Sequence, residues 1–206
     1  RRPEDEGARV SLKLFSRGVS LPLSERVPLL ERMGFRVLNE RTYRVATPGA
    51  ATAETVWLHD MALERATGAP IDIEALDARM EAALLAVFRG VAESDAYNKL
   101  VLEADLGWRD TALLRSLGRY LQQLTIPYSQ AYIADVLARH GAYARALVAL
   151  FYGRFDPGLA REEQDKRAAE ARETIETYLT DVTSLDEDRI LRRFRNLIEA
   201  ALRTNF

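Results

Sequence analysis

Between Arg65 and Ile73 the apolar period of this chain changes from two to 3.6, and that switch limits it to a strand-bearing segment followed by packed helices. Ahead of the switch, "RVSLKLF" alternates Val10, Leu12 and Leu14 with Ser11 and Lys13, the pattern of a half-buried strand. "SRGVSLPLSERVPLLERMG" then predicts a short helix capped by Ser24, with Val27, Leu30 and Met33 on one side, Pro28 in or near the first turn and Gly34 as the stop. "FRVLNERTYRVAT" and "ETVWLHDMALE" predict two strands joined by the turn-prone "PGAAT". The order is β-α-β-β, expected as one antiparallel sheet with the helix on one face and open edges that call for a partner.

Past the switch, Ile73, Leu76, Met80, Ala83, Leu84, Val87 and Phe88 form one helical stripe ended by Gly90. "ESDAYNKLVLEADLG" opens on Ser94 or Asp95 and closes on Gly107. "WRDTALLRSLGRYLQQL" gathers Leu113, Leu114, Leu117, Tyr120, Leu121 and Leu124, and two short helices follow, split at Gly141. "LAREEQDKRAAEARETIETYL" reads as a solvated arm, with Glu162 to Lys166 and Glu163 to Arg167 at i,i+4 and apolar contacts only at Ile175, Tyr178, Leu179 and Val182. Ser184 and Glu187 offer a capping box for a last helix whose stripe is Ile190, Leu191, Phe194, Leu197, Ile198, Ala201 and Leu202. The expected fold class is therefore α+β, a small antiparallel sheet with one helix and then an all-α bundle, divided as residues 1–66 and 67–206.

Composition narrows the partners. With 29 basic and 31 acidic residues the formal net charge is -2, which gives no global field for nucleic acid or an anionic membrane, and neither is expected. No apolar run approaches the roughly 18 residues a membrane helix needs. The 206 residues contain no Cys, so there is no thiolate nucleophile and no disulfide framework, as fits a cytoplasmic location. The chain opens on "RRPEDEGARV" without Met, and its last apolar stripe is still running within a few residues of Phe206. These residues leave open whether the chain is whole or a piece whose chemistry lies beyond Phe206, and Thr204 to Phe206 are expected to fray.

A search for chemistry yields no catalytic, cofactor-binding or metal-ligating residue. No two of the 11 glycines lie within two residues of each other, which excludes a GxGxxG phosphate loop. Gly153 and Gly158 have P-loop spacing, but Leu159 and Ala160 stand where Lys and Ser or Thr belong. His59 is expected as a satisfied strand residue and His140 as a cation at a helix C-terminus. The acid pairs Glu74/Asp77 and Asp186/Asp188 sit at helix starts, where the helix dipole accounts for them. Trp57 and Trp108 are expected as core anchors, since no basic cluster surrounds them.

The order of the motifs carries more. "LSERVPLLERMGFRVLNERTYRV", "VWLHDM", "ESDAYNKLVLEADLGWRDTALLRSLGRYLQQ", "SQAYIADVL", "LFYGRFDP" and "RILRRFRNLIEAALRTNF" resemble, in that order, the region just ahead of the catalytic domain in the large bacterial NAD-specific glutamate dehydrogenases. The resemblance implies a parent enzyme that oxidises L-glutamate with NAD and water to 2-oxoglutarate, ammonium and NADH. It implies that NAD and the catalytic residues belong to a catalytic domain beyond Phe206, and that this segment holds no cofactor. The partners implied are other domains and subunits of the same enzyme. The β-α-β-β start, with Arg17 and Gly18 before its helix and Met33, Gly34 and Phe35 after it, also resembles an ACT-like module, without a fourth strand. Three functions compete on this footing: a structural or oligomer-building segment, an ACT-like sensor of an amino-acid effector, and a stand-alone helical interaction protein.

Overall fold

A computed structural model describes residues 7–45, 55–124 and 126–202. The chain divides into two compact units, Arg1–Ala78 and Arg79–Phe206. In the first unit, strands β1 (Arg9–Arg17), β2 (Phe35–Val45) and β3 (Val56–Arg65) form an antiparallel sheet in the order β1-β3-β2, with helix α1 (Leu23–Arg32) between β1 and β2. The α+β expectation holds, and "PGAAT" falls outside the described residues.

The alternation in β1 works as its sequence dictates. Val10, Leu12 and Leu14 pair with Leu63, Met61 and His59, and these three β3 side chains are buried. Leu29 and Leu30 of α1 and Met33 just past its end are buried as well, and with Phe35 they add to the apolar core of this unit. Gly34, at φ 94°, supplies the left-handed turn that sends the chain from α1 into β2. Ser24 does not cap α1. The capping position is Pro22, whose extended backbone (φ -63°, ψ 143°) precedes Leu23, so Ser24 and Pro28 both lie inside the helix.

Helix α2 (Ile73–Phe88) buries Leu76, Met80, Ala83 and Leu84 and leaves Ile73 exposed. In the second unit a 3₁₀ turn (Ala96–Lys99) and a single turn α3 (Leu100–Glu103) occupy the stretch that reads as one helix. Asp95 closes the start of that turn through a capping box with Asn98. The bundle is completed by α4 (Trp108–Gln123), α5 (Gln130–Arg139), α6 (Gly141–Phe155), α7 (Arg161–Leu179) and α8 (Leu185–Ala200). Ser129 and Ser184 cap α5 and α8 as their positions predict.

Two helices differ from expectation. The buried face of α4 is Thr111, Leu114, Arg115, Gly118 and Leu121, while Tyr120 is 49% and Leu124 53% exposed. The helix is turned because a Cβ on Gly118 would lie 2.0 Å from the Tyr97 hydroxyl, so this glycine is where the buried Tyr97 crosses it. Nor is α7 a solvated arm. Ala168 and Ala171 are buried, and a Cβ on Gly153 of α6 would lie 2.8 Å from the Ala168 nitrogen, so the two helices approach through small side chains. The Glu163 to Arg167 pair forms on the outer side at 2.6 Å. The α8 stripe packs as expected from Ile190 to Ile198, with Ile190, Leu191, Phe194 and Ile198 buried in the bundle core and Leu197 against it, but the helix ends at Ala200 and Leu202 is exposed. Arg192 and Arg195 turn off that stripe to Asp188 and Glu176.

Candidate functional site

Inside the sheet unit the physics of one strand is unusual. Pairing of β2 with β3 runs Val37 to Leu63 and then Asn39 to Ala62, so Leu38 is an extra residue, a bulge. From there on the side chains on the α1 side are Glu40 and Thr42, the latter exposed at the rim, opposite the buried Met61 and His59. A carboxylate, a hydroxyl and an imidazole thus line the sheet beneath α1, from which Arg26, 2% exposed, meets them.

Arg26 donates from Nη1 to Glu40 Oε1 and from Nε to the Pro22 carbonyl. Thr42 Oγ1 lies 3.0 Å from Glu40 Oε1 and 3.1 Å from His59 Nδ1, and that nitrogen is 3.4 Å from the same carboxylate oxygen. If the hydroxyl spends its proton on the carboxylate, it accepts from Nδ1–H, which leaves Nε2 of a neutral ring as a bare acceptor. Burial and the Arg26 charge, working against Glu40, hold the His59 pKa below its ordinary value. His59 Nε2 and Glu40 Oε2 are buried without hydrogen-bond partners among the described residues. The arrangement is a buried ion pair that, with the ring proton on Nδ1, leaves two acceptors unused.

The helical unit spends its polar groups on structure. Arg115, 5% exposed, donates from Nε to Asp95 at 2.7 Å and from Nη2 to Asn98 at 3.2 Å, pinning the capped turn to α4. His140 is more than a terminal cation: Nδ1 lies 2.9 Å from the Tyr178 hydroxyl and Nε2 2.9 Å from Glu187, which Arg139 also contacts at 2.7 Å. That cluster joins α5, α7 and α8. Hydrogen bonds from His140 and Arg139 hold the Glu187 carboxyl below the usual range.

The remaining candidates have plain structural places. Glu74 and Asp77 are exposed on α2, Asp186 accepts from the Tyr128 hydroxyl at 2.7 Å, and Asp188 pairs with Arg192 at 2.8 Å. Trp57 and Trp108 are half-buried, so neither is the expected core anchor. Gly153 is the helix crossing described above, and Gly158 sits in a turn with its N–H 2.8 Å from Asp156. His59 and His140 belong to different units. Among the described residues there is no cluster of His, Cys, Asp and Glu able to hold a metal, and no helix long and apolar enough to cross a membrane.

Comparison with known proteins matches these parts in chain order. Residues 1–76 match the family model for the glutamate dehydrogenase ACT3 domain, and residues 92–157 match glutamate dehydrogenase helical motif 3. Residues 174–206 match the catalytic domain of bacterial NAD-glutamate dehydrogenase. The NAD-specific glutamate dehydrogenase of Halomonas elongata is 41% identical over 203 residues, covering 98% of this chain. That of Pseudomonas aeruginosa is 41% identical over 94% of the chain, and that of Mycobacterium tuberculosis 35% identical over 98%. The chain spans only about 12% to 13% of the length of these relatives. Sheet unit, capped helical motif and terminal helix thus follow the domain order of one enzyme family, and the chain belongs to the bacterial NAD-specific glutamate dehydrogenases as a segment carrying their ACT3 domain and helical motif 3.

Proposed function

We propose that this chain is a non-catalytic, structural and regulatory segment of an NAD-dependent glutamate dehydrogenase. In this reading an ACT-like module over residues 1–66 and a helical part over residues 67–206, within which the catalytic-domain match already begins at residue 174, place the catalytic domain and build the oligomer. The parent enzyme acts in the cytoplasm, converting L-glutamate, NAD and water to 2-oxoglutarate, ammonium and NADH, with NAD held outside this segment. The observation that carries the reading is the succession of ACT3, helical-motif and catalytic-domain matches along one short chain. Its buried polar groups support it, because Arg115 and His140 are engaged in ties between elements of the helical unit. The test is NADH production from glutamate: the full-length enzyme should turn over and the pure 206-residue chain should not. Turnover by the chain alone would overturn the proposal.

The two buried acceptors favour one second reading, an ACT-like module that senses an amino acid through its ammonium group. Calorimetry of the chain with a panel of amino acids tests it. Saturable heat that Glu40→Gln abolishes is the expected result, and no heat from any amino acid rejects this reading while leaving the first intact.

A further inference from the structure

Helix α4 has a second apolar face that its own unit covers only in part, with Leu117 packed against the bundle core and Tyr120 left exposed. Leu113, Leu117 and Tyr120, at i, i+4 and i+7, form one side of a groove of about 490 Å³ whose other side is Phe151 of α6 with Leu197 and Ala200 of α8. Tyr120 is 49% exposed in it, and Leu202, just past α8, is 92% exposed. The polar side chains that line it are few. Ser116 already donates to the Leu113 carbonyl at 2.7 Å, so with Tyr120 the sole other hydroxyl, the groove lacks the convergent polar groups that orient a small ligand. A wall of large apolar side chains suits another protein surface instead.

The domain matches say which surface. The α4 and α6 walls lie within the helical-motif match, 92–157, and the α8 wall lies within the catalytic-domain match, 174–206. The groove therefore runs along the seam between two domains of one polypeptide, most of whose catalytic domain lies outside the 12% that this chain represents. A domain tethered to one wall of a groove meets it at a high effective concentration that a separate molecule lacks. We infer that the groove between α4, α6 and α8 is the seat of an apolar segment of the catalytic domain of the same polypeptide, an inference that rests on the family reading above.

The test is made in the full-length enzyme with the photocrosslinker p-benzoylphenylalanine placed at Tyr120, an exposed position that the bundle core does not need, and at the exposed Glu173 of α7 as a control. Irradiation should give an intrachain product at Tyr120, several-fold above the control, whose crosslinked peptide maps to the catalytic domain. A product of doubled mass, a peptide from any other region, or a yield no higher than the control would overturn the inference. Glutamate-dependent NADH production by the same preparation reports separately on the family reading, so the two can fail independently.

Discussion

Leu38 decides what Glu40 does. Continued strictly from Phe35 and Val37, the two-residue alternation of β2 would turn Asn39, Arg41 and Tyr43 inward, and Glu40 would be an ordinary surface carboxylate. The bulge reverses that parity, so the side chains on the α1 side are Glu40 and Thr42. This is why the cluster around His59 was illegible in the sequence: His59 stood out as one of two histidines, but Arg26, Glu40 and Thr42 carry no motif, and a one-residue bulge leaves no compositional mark. The cluster also sets a sharp energetic expectation, because removing one partner of a buried ion pair strands the other charge. Arg26→Met should destabilise the sheet unit by about 3 to 5 kcal/mol. Adding Glu40→Met to it should recover most of that loss, since an apolar pair of similar volume needs no charge compensation. Urea denaturation of the two variants and the parent chain measures both effects, and equal midpoints for the single and double variants would contradict the argument.

Among the helices, existence and order were legible and facing was not. The 3.6-residue stripes place α2, α4, α5, α6 and α8 within a few residues of their observed ends, because caps such as Ser129 and Ser184 are written locally. Which side of α4 is buried depends instead on Gly118 and Arg115, a residue with no side chain and a residue with a charge, neither of which enters an apolar stripe. The same holds for α7, whose Ala168 meets α6 at Gly153. Gly118→Ala gains about 1 kcal/mol of helix propensity. The overpacking costs about 1 to 3 kcal/mol, so the net effect should be a loss of up to about 2 kcal/mol, because Tyr97 is held by its bond to Gln130 at 2.7 Å and cannot withdraw from the new methyl. A higher melting temperature for this variant would show that Tyr97 moves freely. Phe194 of α8 is fully buried, so Phe194→Ala should cost about 3 to 5 kcal/mol in the same assay. An unchanged midpoint would mean that α8 contributes nothing to the bundle.

For the whole molecule, the two units should yield to acid at different pH, because their perturbed groups shift from different starting points. In the sheet unit, burial beside Arg26 lowers the His59 pKa from its ordinary 6.5. The unfolded chain then binds a proton there before the folded unit does, so the stability tied to neutral His59 is complete above 6.5 and is lost as pH falls through the lowered folded value. In the helical unit the lowered groups are carboxyls: Glu187 held by His140 and Arg139, Glu199 by Arg172, and Glu93 by Arg119. Their contribution is complete above the ordinary 4.5 and is lost only as pH falls below it, through their lowered folded values. Acid should therefore weaken the sheet unit first, and the chain carries a reporter for each, Trp57 in β3 and Trp108 at the start of α4. Tryptophan fluorescence of Trp108→Phe follows the sheet unit and that of Trp57→Phe the helical unit as pH is lowered at a fixed, moderate urea concentration. The Trp57 signal should change at the higher pH, and His59→Gln should move that change downward while leaving the Trp108 signal where it was. A single shared transition, unmoved by His59→Gln, would mean that the imidazole buried under α1 has no part in the stability of its unit.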